Sequence, residues 1–222
     1  MNTINSSYLD LPAKTVERLS EYRRSLLNCQ SQGKDFIYSH ELAALHHFTA
    51  VQVRRDIMLI GYGSYQRKGY NVKELIVRIG RILDTEQGLN VAVIGFGHLG
   101  RAITNYFRGK RSKLNIVATF DIDPEKVNGV FVGVRCYPME KLEEIVRLKA
   151  ITIAVITAPA EVARELSRRL VRTGIRGILN YSSVPLEVPE DVYLEGYDFI
   201  TSLEKVAYFV KSHRKQTRKT SG

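Results

Sequence analysis

Cysteine is scarce in this chain of 222 residues: Cys29 and Cys136 are the two present, far apart and in no C-x-x-C pair. That argues against a disulfide framework and against a thiolate metal site, and both thiols are expected to be buried as small hydrophobes. No apolar stretch reaches the roughly 18 residues a membrane span needs, and the opening MNTINSSYLDLPAKTVERLSEY has neither a basic n-region nor an apolar h-region. We therefore expect a cytoplasmic protein that meets no membrane and binds no metal. Acidic residues are also in the minority, 23 Asp and Glu against 33 Lys and Arg, for a formal net charge of +10. The excess is local. RGKRSK at 108–113 holds four bases, and the terminal KSHRKQTRKTSG, 211–222, holds five with no acid. The first hints at an acidic partner such as nucleic acid, whereas the second reads mainly as a disordered, solubilising basic tail.

A hydrophobic content of 44% suits one large or two small cores. Helix-like periodicity gives way to an apolar strand near RILDTEQGLNVAVIG, which puts a domain boundary at Gln87 and Gly88. In the first domain, 1–87, the segment 14–32 places Val16, Leu19, Tyr22, Leu26 and Leu27 on one helical face. Ser39 is the expected N-cap of a short helix, HELAALHHF, and Thr49 that of a second, AVQVRRDIMLI, whose stripe is Val53, Ile57 and Ile60. Two short helices so closely joined make a helix-turn-helix candidate. The outward face of the second carries Gln52, Arg54 and Arg55. Arg pairs bidentately with guanine and Gln with adenine, and each can also hold phosphate, although a solvated charged face has the same composition. GYGSYQRKGYNV then reads as a wing bearing Arg67 and Lys68, and VKELIVRIGRIL as a fourth helix. The set describes a winged helix-turn-helix DNA-binding domain.

From residue 88 to 200 strands and helices alternate as a doubly wound parallel sheet requires, a Rossmann-like α/β domain. Its first strand runs into a turn, Gly95, Phe96, Gly97, His98, Leu99 and Gly100, that opens a helix. The first glycine allows the tight turn, the second lets backbone approach a pyrophosphate, and the third lets helix pack on strand, while the helix N-terminus attracts the phosphates. Asp121 ends the next strand 21 residues beyond Gly100, placed to accept ribose hydroxyls and to repel a 2′-phosphate, which favours NAD(H) over NADP(H). Catalytic residues are not expected. His40, His46 and His47 belong to the first domain and His213 to the tail, leaving His98 without a carboxylate partner for acid–base work, and no length remains for a substrate domain. A small NAD-dependent oxidoreductase with an accessory helical domain is the alternative.

Over nearly its whole length the chain resembles the Rex redox-sensing transcriptional repressors. The segments that carry the likeness are QVRRD, GFGHLGRA, FDIDPEKVNG, TGIRGILNY and LEVPEDV. The resemblance implies a homodimer that binds operator DNA through its winged helices and releases it when NADH occupies the Rossmann domains, with NAD+ competing for the same site. It implies that the last helix, 201–210, is swapped onto the partner subunit. It also implies a switch in which Tyr106 bonds Asp198 of the other subunit until NADH displaces it, whereupon Asp198 pairs with Arg24. Three stretches depart from the family pattern: Met58, Leu59, Ile60 and Gly61 stand where it usually reads close to Ser-Tyr-Phe-Gly after RRD, the wing reads YQRKGY in place of the commoner Arg-Gly-Val-Gly-Tyr, and YSSVPL replaces a Phe-Ala-Pro-Val segment.

Overall fold

A computed structural model describes residues 10–63, 68–107 and 113–220, with side chains as far as 211. The chain forms two compact units, one ending at Glu86 and the other beginning at Gln87. Each has a hydrophobic core of its own.

The first unit contains α1 (Ala13–Ser31), β1 (Phe36–Ile37), α2 (Ser39–Ala44), α3 (Ala50–Leu59), β2 (Tyr70–Asn71) and α4 (Val72–Leu83). The buried face of α1 is Thr15, Leu19, Tyr22, Leu26 and Cys29. Val16, expected on this face, is 39% exposed, because the helical repeat that centres on Leu19 and Tyr22 turns position 16 outward. The second helix begins one residue earlier than expected. Tyr38 occupies the N-cap, with its N–H donating to Glu41 Oε2 at 2.7 Å. It also ends early, at Ala44, where the chain turns through His47 with φ at 57°. That turn lets His46 and Phe48 pack on the ring of Tyr22, with centroids at 5.8 and 6.1 Å. Thr49 caps α3 as expected, its Oγ1 accepting from the Gln52 N–H at 3.1 Å. Asn71 caps α4 in the same way through Glu74. Leu42, Val53, Ile57, Leu75 and Ile79 meet α1 in one core, and β1 pairs with β2 antiparallel at the base of the wing.

At the centre of this unit lies a buried acid. The Asp56 carboxylate on α3 accepts from Arg18 Nε and Nη2 at 2.7 Å each, from the Tyr22 hydroxyl at 2.9 Å and from Gln52 Nε2 at 3.3 Å. Burial opposes its charge, but the hydrogen bonds from Arg18, Tyr22 and Gln52 prevail and hold the carboxyl below the usual range. The same contact, after burial itself, pushes the Tyr22 phenol up. Because α1 supplies Arg18 and Tyr22, the cluster fastens α3 to the helix behind it.

The second unit is a seven-stranded sheet. Its strands are β3 (Leu89–Ile94), β4 (Leu114–Asp121), β5 (Val130–Phe131), β6 (Val134–Pro138), β7 (Ile151–Ile156), β8 (Gly177–Asn180) and β9 (Tyr193–Gly196). They lie in the order β5-β6-β4-β3-β7-β8-β9, parallel throughout except for the β5–β6 hairpin. Without β5 this is the doubly wound order 3-2-1-4-5-6, whose switch point falls between β3 and β7. Helices α5 (His98–Phe107), α6 (Leu142–Leu148) and α7 (Ala160–Arg172) connect the strands. The hairpin and β9 lie outside the strands expected from sequence. The hairpin turns at Val132 and Gly133, both at positive φ, 52° and 82°.

The last helix, α8, runs Phe199–Thr220. It continues through the segment expected to be a disordered tail, since no Pro or Gly interrupts 199–220 and Lys, Arg and Gln are good helix formers. Its first twelve residues leave Ile200, Leu203, Val206 and Val210 exposed.

Replacing Arg18 by Met should destabilise the first unit by about 3–5 kcal/mol near neutral pH, because Asp56 would stay buried without its counter-charge. Folding holds the Asp56 carboxyl below its unfolded value, so the stability gained from its charge is present above that range and lost as pH falls through it. The gap between parent and variant should therefore narrow in acid, which denaturant titrations at several pH values would measure.

Candidate cofactor site and nucleic-acid interface

The turn from β3 into α5 assigns its three glycines different tasks. Gly95 has φ at 96°, and a Cβ placed there would lie 2.8 Å from the Ala158 nitrogen and 2.9 Å from the Thr157 carbonyl carbon. A Cβ on Gly100 would collide with the carbonyl oxygen of Gly95, and would sit 3.1 Å from Thr157 Oγ1. Thr157 also donates its hydroxyl to the Gly95 carbonyl at 2.6 Å, binding the turn to the end of β7. Gly97 differs. Nothing lies within 4 Å of a Cβ built on it, so the backbone presents an open face where α5 starts. The first N–H groups of a helix have no partner within it and carry the positive end of its dipole, which makes this face a cradle for an anion. His98 and Leu99, in the first turn of α5, are exposed beside it.

Phe96 points away from this face. Its side chain is buried against Phe131 of the unexpected hairpin, with centroids 5.5 Å apart, and Arg101 lies over its ring at 5.4 Å. Its N–H donates to Asp121 Oδ2 at 2.7 Å. Asp121 thus ties the turn to the end of β4, and its other oxygen accepts from the Asp123 N–H at 2.9 Å. Lys126 stands 3.5 Å from Asp121 and 3.1 Å from Asp123, so its charge is shared between two carboxylates. A cavity of about 400 Å³ opens next to Asp121. Gly95, Ile122, Ala158, Val162 and Leu166 line it, and its mainly apolar walls suit a flat heteroaromatic ring. Sequence reasoning passed over Ile122, Val162 and Leu166; the apolar pair four residues apart at the start of α7 was the available signal.

In the first unit, α3 turns Val53, Asp56 and Ile57 inward and leaves Arg54 and Arg55 exposed. Arg54 Nη1 donates to Ser39 Oγ at 3.2 Å, which steadies it beside the start of α2. Gln52 is half-buried, its amide nitrogen turned to Asp56. Thr49 holds the helix start through its hydroxyl. Lys68 is exposed at the base of the wing, whereas Arg67 falls outside the described residues.

Arg24 is exposed on α1, and Tyr106 is 66% exposed near the end of α5. Asp198 caps α8: its carboxylate accepts from the N–H groups of Ile200 and Thr201 at 3.0 and 3.2 Å, and from the Thr201 hydroxyl at 2.7 Å. The Thr201 hydroxyl first, then these N–H groups, hold its carboxyl below the usual range. Next to it, Asn180 shapes the segment after β8, accepting from Ser182 N and Oγ and donating to the Val184 carbonyl. Among the described residues no helix is long and apolar enough to cross a membrane, and no group of three or more His, Cys, Asp or Glu is placed to hold a metal ion.

Comparison with known proteins agrees with both halves. A family model described as "CoA binding domain" matches residues 86–184, and one described as "putative DNA-binding protein N-terminus" matches 10–57. The redox-sensing transcriptional repressor Rex of Anoxybacillus flavithermus is 36% identical over 95% of this chain and 99% of its own length. That of Leuconostoc citreum is 35% identical over 91% of this chain and 94% of its own length. The crystal structure of RSP, a Rex-family repressor, superposes with a TM-score of 0.83 at 32% identity, covering 96% of this chain and 99% of that one. RSP in complex with NAD+ and operator DNA gives 0.84 at 31% identity, over 96% of this chain and 98% of that one. With a winged-helix unit, a Rossmann unit and this degree of identity along its length, the chain belongs to the Rex family of redox-sensing transcriptional repressors.

Proposed function

We propose that this chain is a cytoplasmic homodimeric repressor that binds operator DNA through α3 and the wing and lets go when NADH enters the Rossmann unit, NAD+ competing for that site. The observation that carries the cofactor reading is the contrast among the glycines: Gly95 and Gly100 are closed in by backbone while Gly97 is open. In this reading the pyrophosphate rests on the start of α5, at Gly97, His98 and Leu99. Phe96 and Gly95 shape the turn from behind, and Asp121 meets the ribose. The apolar cavity beside Asp121 takes the adenine. The bound nicotinamide supplies the redox state that is sensed, and no bond need be made or broken to it.

RSP has been crystallised with NADH as well as with NAD+ and operator DNA, which supports assigning both ligands to this chain. Arg54 and Arg55 supply the DNA contacts, with Lys68 and Arg67 from the wing. Thr49 fixes where α3 begins, and Gln52 acts through Asp56 as much as on the bases. The exposed apolar row on α8 is covered by the second copy, in keeping with the size of that face. Tyr106, Asp198 and Arg24 form the switch. Because Asp198 already bonds the first turn of α8, its exchange of partners would pull on that helix directly.

Two outcomes test this reading. Gly97→Ala should leave the second unit as stable as the parent while weakening NADH binding. Gly95→Ala and Gly100→Ala should each cost about 1–3 kcal/mol of stability through overpacking; fluorescence titration and thermal unfolding separate the two effects. For the switch, Asn retains the N-capping ability of Asp198 but not its charge. Asp198→Asn should therefore bind NADH and upstream promoter DNA, yet lose most of the roughly 5- to 150-fold difference in DNA affinity that NADH imposes on the parent. An equal ratio in parent and variant, measured by fluorescence anisotropy, would remove Asp198 from the mechanism.

A further inference from the structure

The face that α3 offers to DNA is not purely basic. Val51, Arg54, Arg55 and Met58 stand at i, i+3, i+4 and i+7 and share one side of the helix. Val51 is 52% and Met58 72% exposed. The opposite side is committed: Val53, Asp56 and Ile57 are buried. Gln52, the polar residue nearest to Val51, turns its amide nitrogen to Asp56. The fully exposed side chains of the first two turns are therefore one valine and two arginines, with Gln52 shared between Asp56 and the outer face. Thr49 caps the helix, which puts Val51 in its first turn, where recognition helices touch bases. Met58 lies in the last turn.

From this arrangement we infer that Val51 reads a thymine methyl group. Across the major groove the thymine C5-methyl is the one apolar group the four bases display, whereas guanine offers the acceptor pair that arginine takes bidentately. A half-site bound by this face carries a thymine beside the guanine or phosphate held by Arg54 or Arg55, and Val51 packs on its methyl. The side chain of Val51 makes no contribution to either core, so its replacement tests recognition without disturbing the fold. The inference rests on the operator reading given above.

Duplexes selected by the full-length protein from a randomised pool provide the probe. Each thymine of the selected half-site is then replaced in turn by uracil, which removes the methyl and nothing else. The parent should lose about fourfold in affinity at one thymine, the equivalent of one buried methyl group. In Val51→Ala the penalty at that position should vanish, while both proteins bind NADH equally. If the parent selects no sequence, the operator reading fails and this inference with it. If it selects a site, but that half-site lacks thymine, no uracil weakens binding, or the penalty survives in Val51→Ala, then the assignment of Val51 is wrong and the operator reading stands.

Discussion

The backbone of Gly95 passes so close to Thr157 and Ala158, and α5 so close to the Gly95 carbonyl, that no side chain fits at Gly95 or Gly100. This close approach determines much else in the second unit. It draws the ends of β3 and β7 together at the point where strand order reverses, and it aims the start of α5 across the carboxyl ends of the strands. Asp121 completes the arrangement from β4 by holding the Phe96 N–H. What remains open is Gly97 and the cavity beside Asp121. The cradle is therefore formed by backbone that packing has already fixed, and it needs no rearrangement to present its N–H groups.

The first unit solves a different problem. A helix that presents two arginines to solvent must be secured from its other side, and apolar contacts at Val53 and Ile57 do part of that. The Asp56 carboxylate, gripped by Arg18 at two points and by Tyr22, adds a directional constraint that hydrophobic contact lacks. Breaking such a buried pair is far costlier than its net contribution to stability would suggest. The placement of α3 against α1 thus depends on a charge buried beneath it. The two units have separate cores.

Much of this was legible in the order of residues. Elements with strong periodicity came through, among them α4 at Val72–Leu83 and the strands β3, β4 and β7, because apolar runs buried on both faces leave few other conformations. Thr49 was readable as a cap since its role is local. The Gly-rich turn was readable because each glycine answers a steric demand within a few residues of itself. Features that depend on distant partners were not. The Asp56 cluster joins residues 38 positions apart, and nothing in QVRRD marks its aspartate as buried rather than exposed. The β5–β6 hairpin has strands of two and five residues, too short for an alternation to register, and its turn places a valine at positive φ. At the end of α8 charge alone is a poor guide: a run of bases without acids reads as disorder, yet the same residues favour helix once an apolar segment has nucleated it.

Occupancy of the Rossmann unit and occupancy of the DNA face are energetically coupled within one molecule. Linkage makes the coupling reciprocal: the factor by which NADH weakens DNA binding must equal the factor by which DNA weakens NADH binding. The direct measurement is NADH affinity by titration, in the absence of DNA and at saturating operator duplex, set against operator affinity with and without NADH. Both ratios should agree and lie in the range of about 5- to 150-fold. NADH affinity that is the same with and without bound operator would contradict the coupling.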